Sequence, residues 1–184
     1  MALAKGSAVR STMAFIRAER DEATLQRVMA RVAPAERRLL ADAGATDEVP
    51  VAALIALWRA ADEELGGTSP DWVERAGAFS IESTGQSMYG GIVRKSTPTE
   101  FLTQGVSLFR LYYQPGNMEV VETEANRAVL RLVGFEAADP LFCRRQTGGL
   151  HQALTLAGGD RPSTRHVRRV AEGDAFCEWE LRWE

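Results

Sequence analysis

The sequence has little of what the common site chemistries need. It has two cysteines and two histidines in 184 residues, and no Gly-x-Ser-x-Gly. No Ser/His/Asp set can be assembled from it, so nucleophilic acyl chemistry has no visible carrier. Positive charge is not in excess: 22 Lys and Arg against 25 Asp and Glu leave a net charge of −3. That balance argues against nucleic acid as the main partner. No long apolar run exists; the longest, Val51 to Trp58, is far too short to span a bilayer. The start, Met-Ala-Leu-Ala-Lys-Gly-Ser, lacks an apolar stretch of signal-peptide length. Two cysteines without an export signal lead us to expect a reducing, cytoplasmic setting and free thiols. Gly85-Gln86-Ser87-Met88-Tyr89-Gly90-Gly91 lacks the Gly-Lys-Ser/Thr ending of a phosphate loop and does not follow a strand.

What is present is an ordinary globular composition, 45% apolar and 26% charged. The length suits one domain over residues 1–184, with 1–6 as a flexible end. The most informative stretch is the last. From Cys177 to Trp183 bulky and charged residues alternate strictly, which is a strand with one buried face. A three-residue loop at Glu172-Gly173-Asp174 would pair it with the preceding strand. That register sets Val167 across from Trp179, Arg168 across from Glu178 and His166 across from Glu180. Six arginines crowd between Arg144 and Arg169, and read as a solvated strand and helix face rather than an anion-binding groove.

Upstream, apolar spacing predicts helices from Ala8 to Arg20, from Asp21, over Pro34 to Ala43 and over Val51 to Leu65. Ser69-Pro70 opens another that runs to Met88, with an interior of small residues suited to close helix packing. Thr97 and Glu100 have capping-box spacing ahead of a helix through Phe101, Phe109 and Tyr113. The period then becomes two: Met118–Thr123 and Arg127–Val133 form a hairpin. Asp139-Pro140 starts a last helix, stopped at Gly158-Gly159, before the final hairpin. The expected fold class is α+β: a helical N-terminal layer packed on a four-stranded antiparallel sheet made of two hairpins separated by a helix.

With the chain laid out, several stretches carry a resemblance. They are Lys5-Gly6-Ser7, Tyr112-Tyr113-Gln114-Pro115-Gly116, the run from Cys143 to Gly149, and Gly173-Asp174-Ala175-Phe176-Cys177-Glu178-Trp179 with a terminal tryptophan. Over nearly its full length the chain resembles a superfamily of 4-vinyl-reductase domains, haem-binding nitric-oxide sensors (H-NOX) and TRAPP trafficking subunits. It looks closest to bacterial members without haem ligands. The resemblance implies a mixed fold with an apolar pocket between helices and sheet, not a shared activity.

It also implies two chemistries to test. The nitric-oxide sensors use a proximal histidine on a central helix and a Tyr-x-Ser-x-Arg pattern. Phe101 to Tyr113 contains no histidine, and the pattern occurs nowhere in the chain. Metal-binding 4-vinyl-reductase members place a cysteine before the last hairpin, an acid and a cysteine on its first strand, and a final cysteine after the Gly-Asp turn. Cys143 and Cys177 match the ends, but His166 stands for the acid and Arg169 for the middle cysteine. Arginine cannot ligate, and the expected register turns His166 away from Cys177. No cofactor and no metal site are therefore expected, and Cys143 and Cys177 read as buried, inert thiols. The resemblance leaves a non-enzymatic sensory or regulatory domain that binds an apolar small molecule. Its pocket would be lined by Met88, Tyr89, Phe109, Tyr113, Phe142, Cys143 and Trp179. The alternative is a TRAPP-like interaction module, a homodimer or a protein partner's scaffold, whose contact surface carries Trp58, Trp72 or Leu39.

Overall fold

The first residues, expected as a loose end, are a strand. In the computed structural model Leu3–Lys5 (β1) pairs antiparallel with Glu48–Pro50 (β2) on one side and Tyr113–Gln114 (β3) on the other, burying Ala4. This small three-stranded sheet ties three distant parts of the chain together, and no local periodicity announces it. The structure describes residues 1–88, 97–105, 109–136 and 138–184, with the side chains of 84–88 and 104–105 outside the description.

Four helices follow the order that the apolar spacing predicts. They are α1 (Gly6–Glu19), α2 (Glu22–Arg31), α3 (Pro34–Asp42) and α4 (Val51–Leu65). Asp21 caps α2 by accepting from the Thr24 N–H at 2.7 Å. Pro34 sits in the first turn of α3, where its missing N–H costs nothing. The next helix, α5 (Trp72–Met88), begins two residues later than Ser69-Pro70 suggests. Ser69 instead accepts a hydrogen bond from Arg75 and supplies its carbonyl to Trp72 N–H.

After α5 come α6 (Pro98–Gly105) and α7 (Phe109–Tyr112). The capping box of α6 is reciprocal: Thr97 N–H donates to Glu100 at 2.9 Å, and Glu100 N–H donates back to the Thr97 hydroxyl at 3.3 Å. Tyr113, expected at the end of this helix, belongs to β3.

The larger sheet is the expected four-stranded antiparallel one. β4 (Asn117–Glu124) and β5 (Arg127–Val133) form the first hairpin, and β6 (Ser163–Arg168) and β7 (Cys177–Arg182) the second. The spatial order is β4-β5-β7-β6, so the two hairpins join through β5 and β7. Leu130 lies across from Trp179 and Arg131 across from Glu178. Trp179 is fully buried and Trp183 nearly so, as the alternation requires.

Between the hairpins, α8 (Pro140–Leu156) crosses the buried face. It packs against α5 at backbone distance. A Cβ on Gly148 would lie 1.9 Å from the Glu74 carbonyl oxygen, and one on Gly77 would lie 2.1 Å from that of Arg145. Glycine is required at both, so Gly77 of α5 serves helix packing as expected, while the packing of Gly85 and Ser87 and all of Gly90 and Gly91 lie outside the description.

Trp58 and Trp72 are fully buried, with their indole N–H groups bonded to Thr12 at 3.0 Å and Asp62 at 2.7 Å. They cannot form the contact surface expected of them; of that trio only Leu39 is exposed. No helix among the described residues is long and apolar enough to cross a membrane.

Candidate functional site

Asp139 opens α8. One carboxylate oxygen accepts from Leu141 N–H at 2.9 Å, and the other accepts from Arg59 at 2.8 Å. Pro140 then takes the first helical position. This fixed start sets Cys143 in the first turn, facing the sheet. Cys177 opens β7 from the buried side, and the two sulfurs lie 3.4 Å apart.

The third member comes from a register that the alternation does not foresee. The turn between β6 and β7 is longer than three residues: it holds a short 3-10 turn, Val170–Glu172, and ends in Gly173 with φ +98°. Arg168 does face Glu178, as expected. A bulge between His166 and Arg168 then pushes Val167 out of the ladder, leaving it 43% exposed. Beyond the bulge each residue slips by one, so His166 lies across from Trp179 rather than Glu180. A slip of one residue moves a side chain to the opposite face. His166 therefore joins the buried side, its ring stacked on Trp179 at 4.5 Å and 11°.

The result is a cluster in which the Cys143 and Cys177 sulfurs and an imidazole nitrogen of His166 all lie within 4.8 Å of one another. His166 Nε2 is buried and has no hydrogen-bond partner among the described residues. A tetrahedral zinc bound to sulfur at about 2.3 Å and nitrogen at about 2.0 Å spaces its ligand atoms about 3.3–3.8 Å apart. The sulfurs, 3.4 Å apart, lie slightly closer than the upper end of that range, where a sulfur pair falls, and no pair in the cluster exceeds 4.8 Å. Two thiols, one orphaned imidazole nitrogen and no carboxylate form a donor set for a borderline or soft metal.

The protonation state fits the same purpose. The hydrogen bond between the two sulfurs, first, and His166 beside it hold Cys177 below the ordinary thiol range against the cost of burial. The same bond, with burial, pushes Cys143 up. Thiolate is the form that ligates. Arg169 spends its guanidinium on the Glu172 carboxylate at 3.1 Å, while its charge still reaches Cys143. Asp139 has both oxygens engaged elsewhere, so Cys143, His166 and Cys177 would hold such a metal without it.

The expected apolar site divides into parts. Phe109, Tyr113 and Phe142 do come together, with Phe135 completing a ring cluster at centroid separations of 4.7–6.3 Å. Cys143 and Trp179 belong instead to the sulfur cluster, where Trp179 donates its indole N–H to Thr147 at 2.9 Å. The Met88 side chain and Tyr89 lie outside the described residues. An open cavity of about 390 Å³ lies elsewhere, over α2, α3 and α4, with Arg31, Ile55, Arg59 and Glu63 among its lining and none of the expected residues.

Haem does not fit the residues present. Its axial imidazole would have to come from His151 or His166, the only two in the chain. His151 is exposed on α8, and His166 is committed to the Trp179 stack and the sulfurs. Neither reaches the space between helices and sheet, where the Phe109, Tyr113, Phe135 and Phe142 rings pack against one another.

No protein-family model and no curated protein matches the chain. Solved structures do. An H-NOX protein from S. oneidensis in the Fe(II)NO ligation state superposes with a TM-score of 0.75 at 15% identity, covering 98% of this chain and 99% of that one. The Fe(II) unliganded H-NOX protein from K. algicida gives 0.73 at 10%, covering 98% and 96%. A structure described as probing haem distortion in the H-NOX family gives 0.71 at 11%, covering 98% and 95%. The fold is H-NOX-like over 98% of the chain.

Proposed function

We propose that this chain is a non-enzymatic sensory or regulatory domain whose detecting element is a metal held by Cys143, His166 and Cys177, with zinc the best match to the donors. The observation that carries the reading is the convergence of two thiols and an unpartnered, buried imidazole nitrogen within 4.8 Å. The H-NOX-like fold supports a sensory role, because the similar structures include a nitric-oxide-ligated one.

The cluster joins the start of α8 to both strands of the final hairpin. Loss or exchange of the metal would free that end of α8, which bears on α5 through Gly77 and Gly148. A signal read at the sulfurs would leave the domain through that helix pair. Cobalt titration of the reduced, chelator-treated protein tests the reading. One equivalent gives thiolate-to-cobalt charge-transfer bands, and Cys177→Ser and His166→Ala each weaken binding at least tenfold. Titration without such bands in the reduced wild type contradicts it.

A further inference from the structure

Arg144 and Arg145 are neighbours in sequence with opposite fates. Arg144 reaches the surface and binds the Glu74 carboxylate through two nitrogens, each at 2.7 Å. Arg145 turns inward and is 4% exposed. Its Nη2 donates to the Ser11 hydroxyl at 2.9 Å, and its guanidinium lies over Trp58, 5.3 Å from the ring centroid. Its Nη1 is buried and has no hydrogen-bond partner among the described residues.

No carboxylate of this chain neutralises it. No described Asp or Glu forms an ion pair with Arg145, whereas its neighbour Arg144 and both arginines of β5, Arg127 and Arg131, each have one. The residues outside the description, 84–96, 104–108 and 137, contain no Asp or Glu in the sequence. Tyr113 lies beside the guanidinium, but burial pushes its phenol further from ionisation, so it remains neutral. Arginine itself stays charged at any working pH. A fully enclosed cation with only hydroxyls and aromatic faces around it is costly to keep, and removing it for an apolar residue is often neutral or stabilising. An anion from outside the chain would supply the counter-charge that the described residues do not.

We propose that Arg145 anchors a small monocarboxylate with an apolar body, bound inside the domain. A carboxylate matches the guanidinium fork, and the orphaned Nη1 supplies its contact. Trp58, Tyr113 and Phe142, whose rings adjoin one another, supply an apolar wall for the rest of the molecule. This site is separate from the sulfur cluster and stands or falls without it.

Hexanoate is the probe, with hexanol and sodium chloride at matched concentrations as controls, and thermal unfolding and calorimetry as readouts. The expected result is saturable binding of hexanoate with a rise in Tm of about 3–6 °C at roughly tenfold excess over Kd. Hexanol and chloride give no saturable rise. Arg145→Met abolishes the hexanoate effect while leaving the unliganded Tm unchanged or higher. Arg145→Lys, which keeps charge but loses the fork, weakens hexanoate binding at least tenfold. The proposal is overturned if hexanoate does not bind the wild type, or if chloride or hexanol shifts Tm equally. It is also overturned if Arg145→Met retains the hexanoate effect or unfolds at a lower Tm than the unliganded wild type.

Discussion

The two faces of the four-stranded sheet treat polar groups in opposite ways. On the outer face charges find charges: Arg127 with Glu180 at 2.8 Å, Arg131 with Glu178 at 2.8 Å, Arg168 with Glu178 at 3.4 Å. Beneath it, among Trp179, Phe142 and α8, three buried polar atoms have no partner among the described residues: His166 Nε2, Thr164 Oγ1 and Arg145 Nη1. Exposed ion pairs are worth little and hold the surface loosely. Buried polar groups without partners are expensive, and natural folds rarely keep them. The difference teaches where to look for function: the crowded salt bridges are solvation, and the lonely atoms mark the candidate sites.

The contrast can be broken or sharpened by experiment. Trp179→Ala should have the largest effect on stability, because a fully buried ring and the stack on His166 are lost together. We expect about 3–5 kcal/mol in denaturant unfolding, and a loss below about 1 kcal/mol would show that the inner face is not close-packed. Gly148→Ala follows, at about 1–3 kcal/mol, because the new methyl meets the Glu74 backbone rather than a movable side chain. Thr97→Ala removes one half of the capping box of α6 and should cost about 1 kcal/mol.

The smallest effect belongs to the outer face. Arg182 and Arg127 hold the Glu180 carboxyl down, from its ordinary 4.5 to about 2. The folded-state value is depressed, so this stabilisation is fully present above about pH 4.5 and fades as pH falls towards 2. Glu180→Gln should cost no more than about 1 kcal/mol at pH 7, and its difference from wild type should vanish near pH 2. A difference that persists unchanged to that pH would mean the pair contributes by packing rather than charge.

How much of this is legible in the sequence follows from the length scale of each signal. Helix α4 is readable to its ends because Pro50 and Gly66 bracket an unbroken apolar stripe. Strand β7 is readable because its alternation runs without interruption from Cys177. The small sheet is not, because Leu3–Lys5 makes only three pairs with β2 and two with β3, all set by distant partners. Cys143 and Cys177 are visible as a pair. His166 is visible too, but alternation assigns it to the wrong face, since one bulged residue, Val167, defeats any period-two argument beyond it. Arg145 is hidden among six arginines that read as solvated. Its position three residues after Phe142, on the buried stripe of α8, is the available signal, and the charge conceals it.

X-ray absorption at the zinc edge of the reduced, zinc-loaded protein tests the central claim most directly. The account predicts one zinc per chain with two sulfur neighbours near 2.3 Å, one imidazole nitrogen near 2.0 Å and one further light atom. A zinc surrounded by light atoms only, or a reduced protein that retains no zinc, would contradict it.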